Sequence, residues 1–343
     1  MTAENSSETK TPQHKAPQKH KKLIIALSVI LAVILGLVSA FFIVRKVGEN
    51  TLRKRQEEMQ VGFPSGSADV PDDADAYYNG VAYDYNDRLI NILLLGVDRN
   101  KPNVSESHQA DAIYLISLDT DAKSVKVIAV SRNTVTAVDT YDINGSYFST
   151  AEQQICLAYT YGSDDKASSE NTLKAVSNLL YGVPISGYYT VFMNSVADIV
   201  DAVGGVPVTV TEDLTGIDPR MKQGAEVTVT GKNAVSYLQY RGDSNAPRLE
   251  RQKDFISSFI GRAKSAMLKD LSLPLKMYNK LAENTVTNVT SASAVYLASE
   301  ALDADFQIIG IEGESGYDGT YETFVPYEKQ LYETVLDVFY KKQ

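Results

Sequence analysis

Cysteine and histidine are nearly missing from this chain of 343 residues, which has one Cys and three His. The single cysteine, Cys156, excludes an intrachain disulfide framework and any cysteine-cluster metal site. His14 and His20 fall in a lysine-rich N-terminal tail, which leaves His108. A multi-histidine zinc centre is therefore excluded, and a Ser-His-Asp triad has only His108 to run through. Positive charge is also scarce beyond the N-terminus. Residues 1–60 hold ten Lys/Arg against five Asp/Glu, a charge of +5; the formal total is −10, so the remainder carries −15. So acidic a domain, without a basic helix-turn-helix, argues against nucleic acid as a partner. Chemistry in this chain falls to carboxylates, arginines, lysines, tyrosines and hydroxyls.

Residues 1–22 are polar and Lys-rich and are expected to form a disordered tail. Leu23 to Val44 is an uncharged run of 22 residues. At ~1.5 Å per residue it reaches about 33 Å as a helix, enough for a bilayer core of ~30 Å. The run continues past the cleavage-like Val38-Ser39-Ala40, which favours a transmembrane helix over a cleaved signal. Five basic residues stand on each side, so charge alone does not orient it. Residues 45–87 read as a juxtamembrane helix followed by a Gly/Pro/Ser/Asp-rich linker. A folded domain is expected over 88–265, with a helical extension of the same domain over 266–343.

Within that domain Ile90–Val97, Ala112–Leu118 and Val125–Val130 are apolar, β-branched runs of strand length. Further strands are expected at Tyr188–Met193, Val206–Val210 and Phe306–Ile311. Helices are expected at Thr150–Tyr161, Asn171–Tyr181, Ser195–Ala202, Asn233–Gln239, Arg248–Met267, Leu271–Ala282, Ser291–Leu302 and Tyr327–Tyr340. Together these describe an α/β (α+β) fold, a central mixed sheet flanked by helices. The short turn Asp119–Ser124 makes the second and third strands an antiparallel hairpin. If the first also pairs antiparallel with the second, Asp98, Asp111 and Arg132 come to one edge of the sheet, where ligand crevices form. Two carboxylates on one edge can share a magnesium ion, which takes its other ligands from water and phosphate. An arginine beside them suits phosphate oxygens.

Six segments, "NILLLGVDR" (91–99), "ADAIYLISL" (110–118), "VKVIAVSRNT" (125–134), "LAYTYG" (157–162), "LLYGVPISGYYTVFMNSVADIVDAVGGVPVTV" (179–210) and "YRGDSNAPRLERQ" (240–252), occur in the order and spacing of the LytR-CpsA-Psr family, which the chain resembles over about residues 88–265. The resemblance implies a membrane-anchored, single-pass phosphotransferase with an extracellular catalytic domain. Such an enzyme moves a teichoic-acid- or capsule-like glycopolymer from a polyprenyl-diphosphate carrier to peptidoglycan. It also implies Mg2+ held by Asp98 and Asp111, and a diphosphate surrounded by Arg132, Arg241, Arg248, Arg251 and Gln252. Arg99, next to Asp98, joins that substrate-binding set. The implied partners are the lipid-linked glycopolymer, peptidoglycan and membrane lipid. Alternatives are a catalytically silent envelope protein that holds lipid-linked polymer, and a polyprenyl-diphosphate hydrolase.

Three positions depart from the family pattern: Asn133 where an Asp is usual, Gln109 in place of an Arg, and Gln239 in place of the first Arg of Arg-x-Arg. Around Arg248 the spacing has its own meaning. Pro247 suits a first helical turn with Ser244 or Asn245 as cap. Arg248, Arg251 and Gln252 then share a face at i, i+3 and i+4. Arginines at a helix start oppose the dipole by about 0.3–1 kcal/mol each, whereas an anion there reverses the sign. These residues are accordingly expected to clamp a diphosphate without supporting the fold, with salt bridges to Asp243 or Glu250 as the competing reading. The tripeptide Arg241-Gly242-Asp243 is read as a chance match to an adhesion motif.

Overall fold

The nine residues Leu89–Val97 are buried along nearly their whole length, and this strand lies inside the largest sheet. Near-continuous apolar runs are what a strand covered on both faces requires. The computed structural model describes residues 39–58, 74–98, 108–142, 144–240 and 246–343, with the side chains at 194 and 246–250 outside that description. A helix α1 (39–57) comes first. Then follow β1 (Ala76–Tyr78), β2 (Val81–Tyr85), β3 (Leu89–Val97), β4 (Ala110–Asp119), β5 (Ser124–Val130), β6 (Val135–Tyr141), β7 (Tyr147–Gln154), a 3-10 segment (Ile155–Tyr161), α2 (Asp165–Leu179), β8 (Gly187–Phe192) and α3 (Met193–Ala202). The chain continues through β9 (Val206–Thr209), β10 (Glu226–Val229), α4 (Gly231–Gln239), α5 (Ala246–Lys269), α6 (Leu273–Leu281), β11 (Thr285–Thr287), α7 (Ser291–Ala301), β12 (Asp305–Gly310), β13 (Gly313–Tyr317), β14 (Glu322–Pro326), α8 (Glu328–Phe339) and β15 (Tyr340–Lys342).

The six-stranded sheet has the order β11-β8-β3-β4-β5-β12. It is mixed: β3 pairs β4 antiparallel and β8 parallel, β4 pairs β5 antiparallel, and β12 joins β5 parallel. The expected three-strand arrangement is therefore the observed one. Leu93, Leu95, Ile113, Leu115 and Ile128 belong to one buried cluster with Ala175 and Val176 of α2 and Val335, Leu336 and Phe339 of α8. Ile90 and Ile92 of β3 pack instead with Leu52 of α1, Val289 and Tyr296. A separate cluster around Tyr237 and Phe255 joins α3, β9, β10, α4 and α5. The Gly204-Gly205 pair ends α3: both have φ near +80°, and Gly205 N–H donates to Val200 O at 3.0 Å.

Several local readings are corrected. Residues 74–85, expected as linker, form the β1–β2 hairpin, turned by Asn79-Gly80 with φ of 49° and 80°. That dipeptide suits the left-handed turn of a two-residue hairpin. β15 then pairs with β2, so the extension after 265 is not purely helical. The helix expected at Thr150–Tyr161 is β7 followed by the 3-10 segment, because β7 pairs with β6 along its length from Val135↔Gln154 to Tyr141↔Tyr147. Missed as well was the β13–β14 hairpin. Of the expected transmembrane helix 23–44, residues 23–38 lie outside the described residues and 39–44 are helical. Among the described residues no helix is long and apolar enough to cross a membrane.

From residue 45 onward α1 is held against the domain. Leu52 is fully buried, Arg55 donates to Asn288 O at 2.6 Å, and Arg45 pairs with Glu300. Gly48 allows the approach, since a Cβ there would lie 2.2 Å from Ala292 O. Gly48→Ala is therefore expected to cost about 1–3 kcal/mol by overpacking against backbone that cannot give way. Thermal unfolding of the full chain should show a midpoint lowered by about 2 °C or more, with the exposed neighbour change Val47→Ala near wild type. An unchanged Gly48→Ala midpoint would mean that α1 does not dock as described.

Candidate active site

At the edge where β3 and β5 end and β4 begins, the register brings Val97 opposite Ala110 and Ile113 opposite Val130. Asp98 follows β3 and is exposed; Asp111 is the second residue of β4 and is half-buried. Arg132 lies in the turn after β5, closed by Thr134 N–H donating to Ser131 O at 3.0 Å. Its guanidinium donates through Nη1 to the Asp111 carboxylate and through Nη2 to the Gln109 side-chain oxygen. Cys156 Sγ lies 3.8 Å from the same Nη2, and the Cys156 backbone N–H donates to Arg132 O at 3.2 Å. Burial pushes the Cys156 thiol up, while the Arg132 charge pulls it the other way. Arg132 and Asp111 are 34% and 32% exposed, so the pair is open to a ligand from one side. Gln109 entered the sequence reading only as a lost arginine. In the fold its amide oxygen orients Arg132, which no local pattern announces.

Arg251 and Gln252 occupy a different setting. Arg251 is 1% exposed. Its Nε donates to Tyr237 O at 2.9 Å, Nη2 donates to Tyr240 O, and Nη1 pairs with Glu212. The rings of Tyr237 and Tyr240 each lie 5.6 Å from its Cζ. Gln252 Nε2 donates to Leu238 O at 3.0 Å. Both side chains thus serve the last turn of α4, whose carbonyls lack intrahelical partners and favour a cation. The expectation that Arg251 stands apart from the fold is overturned: among the described side chains its acidic partner is Glu212, and the side chains of Asp243 and Glu250 lie outside that description. The start of α5 at Ala246 keeps Pro247 in the first turn, as expected. Arg99, Arg241 and the Arg248 side chain lie outside the described residues.

Among the described residues no group of three or more His, Cys, Asp or Glu is arranged to hold a metal ion. Asp98 and Asp111 offer two carboxylates on one edge, and Asp111 already accepts from Arg132. Such a donor set fits a hard cation that takes the rest of its shell from water and ligand phosphates, not a dedicated metal cage.

Fold and edge together define a mixed α/β protein whose site pairs an arginine, Arg132, with a carboxylate, Asp111, at the strand ends. The chain belongs to the LytR_cpsA_psr family, whose model matches residues 51–336. It is 25% identical over 255 residues to the polyisoprenyl-teichoic acid–peptidoglycan teichoic acid transferase TagV of Bacillus subtilis (strain 168), covering 70% of this chain and 61% of that protein. It is 29% identical over 247 residues to the TagU transferase of the same description from Bacillus anthracis, covering 69% of this chain and 74% of that protein. The chain thus spans less than two thirds of TagV and about three quarters of TagU. The crystal structure of B. subtilis TagV has the same fold, with a TM-score of 0.57 at 24% identity over 73% of this chain and 96% of that one.

Arg251→Ala is expected to destabilise the chain by about 3–5 kcal/mol, since it strands Glu212 and two carbonyls. Arg251→Lys should recover little, because an ammonium cannot reach three acceptors in one plane. Denaturant unfolding followed by circular dichroism tests this; a midpoint equal to wild type for Arg251→Ala would remove the structural role.

Proposed function

We propose that this chain transfers a teichoic-acid-type glycopolymer from a polyisoprenyl-diphosphate carrier to peptidoglycan. Family membership and the names of the TagV and TagU relatives support the class of donor and acceptor. The observation that carries the reading is the Arg132 guanidinium, aligned by Asp111 and Gln109 at the sheet edge beside Asp98. A guanidinium fork grips phosphate oxygens in pairs. In the reaction a hydroxyl of the wall glycan forms a bond to the sugar-linked phosphorus, the bond from that phosphorus to the bridging diphosphate oxygen breaks, and polyisoprenyl phosphate leaves with the hydroxyl proton on its departing oxygen. Arg132 steadies the negative charge on the phosphoryl oxygens. Arg241, in the stretch that joins α4 to α5, and Arg248, at the start of α5, add further positive charge, as does Arg99. Arg251 and Gln252 act indirectly, by holding the α4 end from which that stretch departs. Mg2+, when bound by Asp98 and Asp111, supplies charge neutralisation at the diphosphate.

A cavity of about 430 Å³ between α5 and β12, with Ile260, Phe306 and Ile308 in its wall and Lys253 and Asp254 at its margin, supplies apolar surface for part of an isoprenoid. The apolar run 23–44 anchors the chain as a single pass, with the domain outside the cell membrane. The test uses full-length chain in detergent with polyisoprenyl-diphosphate-linked teichoic acid, peptidoglycan and Mg2+. Polymer should become wall-linked as polyisoprenyl phosphate is released. Arg132→Ala is expected to lower the rate about 100-fold, in the range for a lost donor to a developing oxyanion. Release without wall linkage would identify a hydrolase; tight donor binding without release would identify a holding protein.

A further inference from the structure

The β13–β14 hairpin reaches back to the site edge. Thr134 and Phe324 form an isolated parallel bridge, and Phe324 N–H donates to Asn133 O at 2.8 Å. Gln154 Nε2 donates to Glu322 O at 2.5 Å. These bonds fix the Glu322 backbone next to the residue that follows Arg132. Between hairpin and turn lies an open cavity of about 270 Å³, walled chiefly by Ser131, Asn133, Ser315, Glu322 and Thr323. Its lining is mostly polar, whereas that of the cavity between α5 and β12 is mixed. Ser131 and Asn133 flank Arg132 in sequence, so this hollow lies at the turn that carries Arg132.

Glu322 is exposed, and among the described residues its carboxylate accepts one hydrogen bond, a 3.4 Å contact from the Asn133 amide. An ionised carboxylate has about four acceptor positions, so most of its capacity is open to a ligand. The hairpin tip carries exposed aromatic surface: Tyr317 and Tyr321 are 67% and 61% exposed. Asp318 Oδ1 holds the tip by accepting from the backbone N–H groups of Thr320 and Tyr321 at 2.8 and 2.7 Å. Register pairs Tyr317 with Glu322 and Ser315 with Phe324, which puts an aromatic ring directly across from the carboxylate. Hydroxyl acceptors beside aromatic faces with apolar bodies match a sugar, which offers O–H donors at its rim and C–H groups on its faces.

We infer that the β13–β14 hairpin is the acceptor-glycan subsite, with Glu322 receiving a sugar hydroxyl and Tyr317 and Tyr321 forming a platform for the neighbouring rings. The inference rests on the transferase reading above for the identity of the glycan, a peptidoglycan strand. Two molecules must meet at Arg132, and the hairpin supplies a polar wall separate from the cavity between α5 and β12 proposed for the lipid. Glu322 thereby orients the attacking hydroxyl beside the phosphoryl group bound at Arg132.

The experiment is a titration of full-length chain with a soluble peptidoglycan oligosaccharide, followed by NMR, beside a parallel titration with a polyisoprenyl-diphosphate analogue. Glu322→Gln is expected to weaken oligosaccharide binding about 10-fold, and Tyr321→Ala to a similar degree, with analogue binding unchanged. Because Asn133 Nδ2 and Glu322 Oε2 are 3.4 Å apart, the double variant Asn133→Asp, Glu322→Gln returns a carboxylate to nearly the same place. It should bind the oligosaccharide within about threefold of wild type, which loss of a merely structural contact would not allow. The Phe324 amide signal reports that the hairpin stays docked. Wild-type affinity in Glu322→Gln, no oligosaccharide binding by wild type, or equal loss of both ligands in Glu322→Gln would each overturn the inference. Oligosaccharide binding without analogue binding by wild type would keep the subsite and reject the donor reading.

Discussion

The contact between Arg132 and Asp111 joins residues 21 positions apart because β4 runs opposite to β3 and β5. Antiparallel pairing sends the end of β3, the start of β4 and the end of β5 to one edge. Two of those ends carry carboxylates and the third an arginine. The pair remains about one third exposed, so solvent screens it and its worth to folding is small. Its consequence is geometric. Asp111 and Gln109 take the two Nη groups of Arg132, and the turn through Ser131–Thr134 sets its backbone. A ligand with phosphate oxygens meets a guanidinium whose direction is already chosen, which lowers the ordering cost of binding.

Burial separates two arginines whose side chains are described, Arg251 and Arg132. Arg251 is enclosed between two tyrosine rings and spends its donors on Glu212 and the α4 end. Such a group holds geometry rather than ligand. A buried guanidinium left without acceptors is costly, so the packing of α4, α5 and the Glu212 segment is coupled through this one side chain. Arg132, by contrast, keeps an open side. The two guanidiniums thus differ in setting: Arg251 is a buried support, and Arg132 is about one third exposed.

The C-terminal hairpin changes the meaning of Asn133. Read alone, the amide is a missing carboxylate. In the fold, its side chain donates to a glutamate 189 positions later, and its carbonyl accepts from Phe324 in the same hairpin. The carboxylate beside Asn133 is therefore contributed by a different segment. The site edge is also extended by a polar hollow with tyrosines at its rim.

Strands buried on both faces were legible because burial leaves a long apolar run, as in β3, and the edge that carries Asp98, Asp111 and Arg132 followed from the short turn after β4. Composition excluded cysteine and multi-histidine metal chemistry, and the ordered motifs led to the family. Solvent-facing ribbons were not legible: β7, largely exposed, reads as polar helix or loop, and β13–β14 is rich in Gly, Ser and Glu. Their strand character comes from pairing across the ribbon, which propensity alone does not encode. Sequence by itself determined the antiparallel hairpin of β4 and β5 and the charges available at the strand ends, because pattern and turn length are local; the direction of β3 came from the fold. Only the tertiary structure decided that Arg251 is a buried support and that Glu322 stands beside Asn133, because burial and long-range neighbours depend on which distant segments pack together.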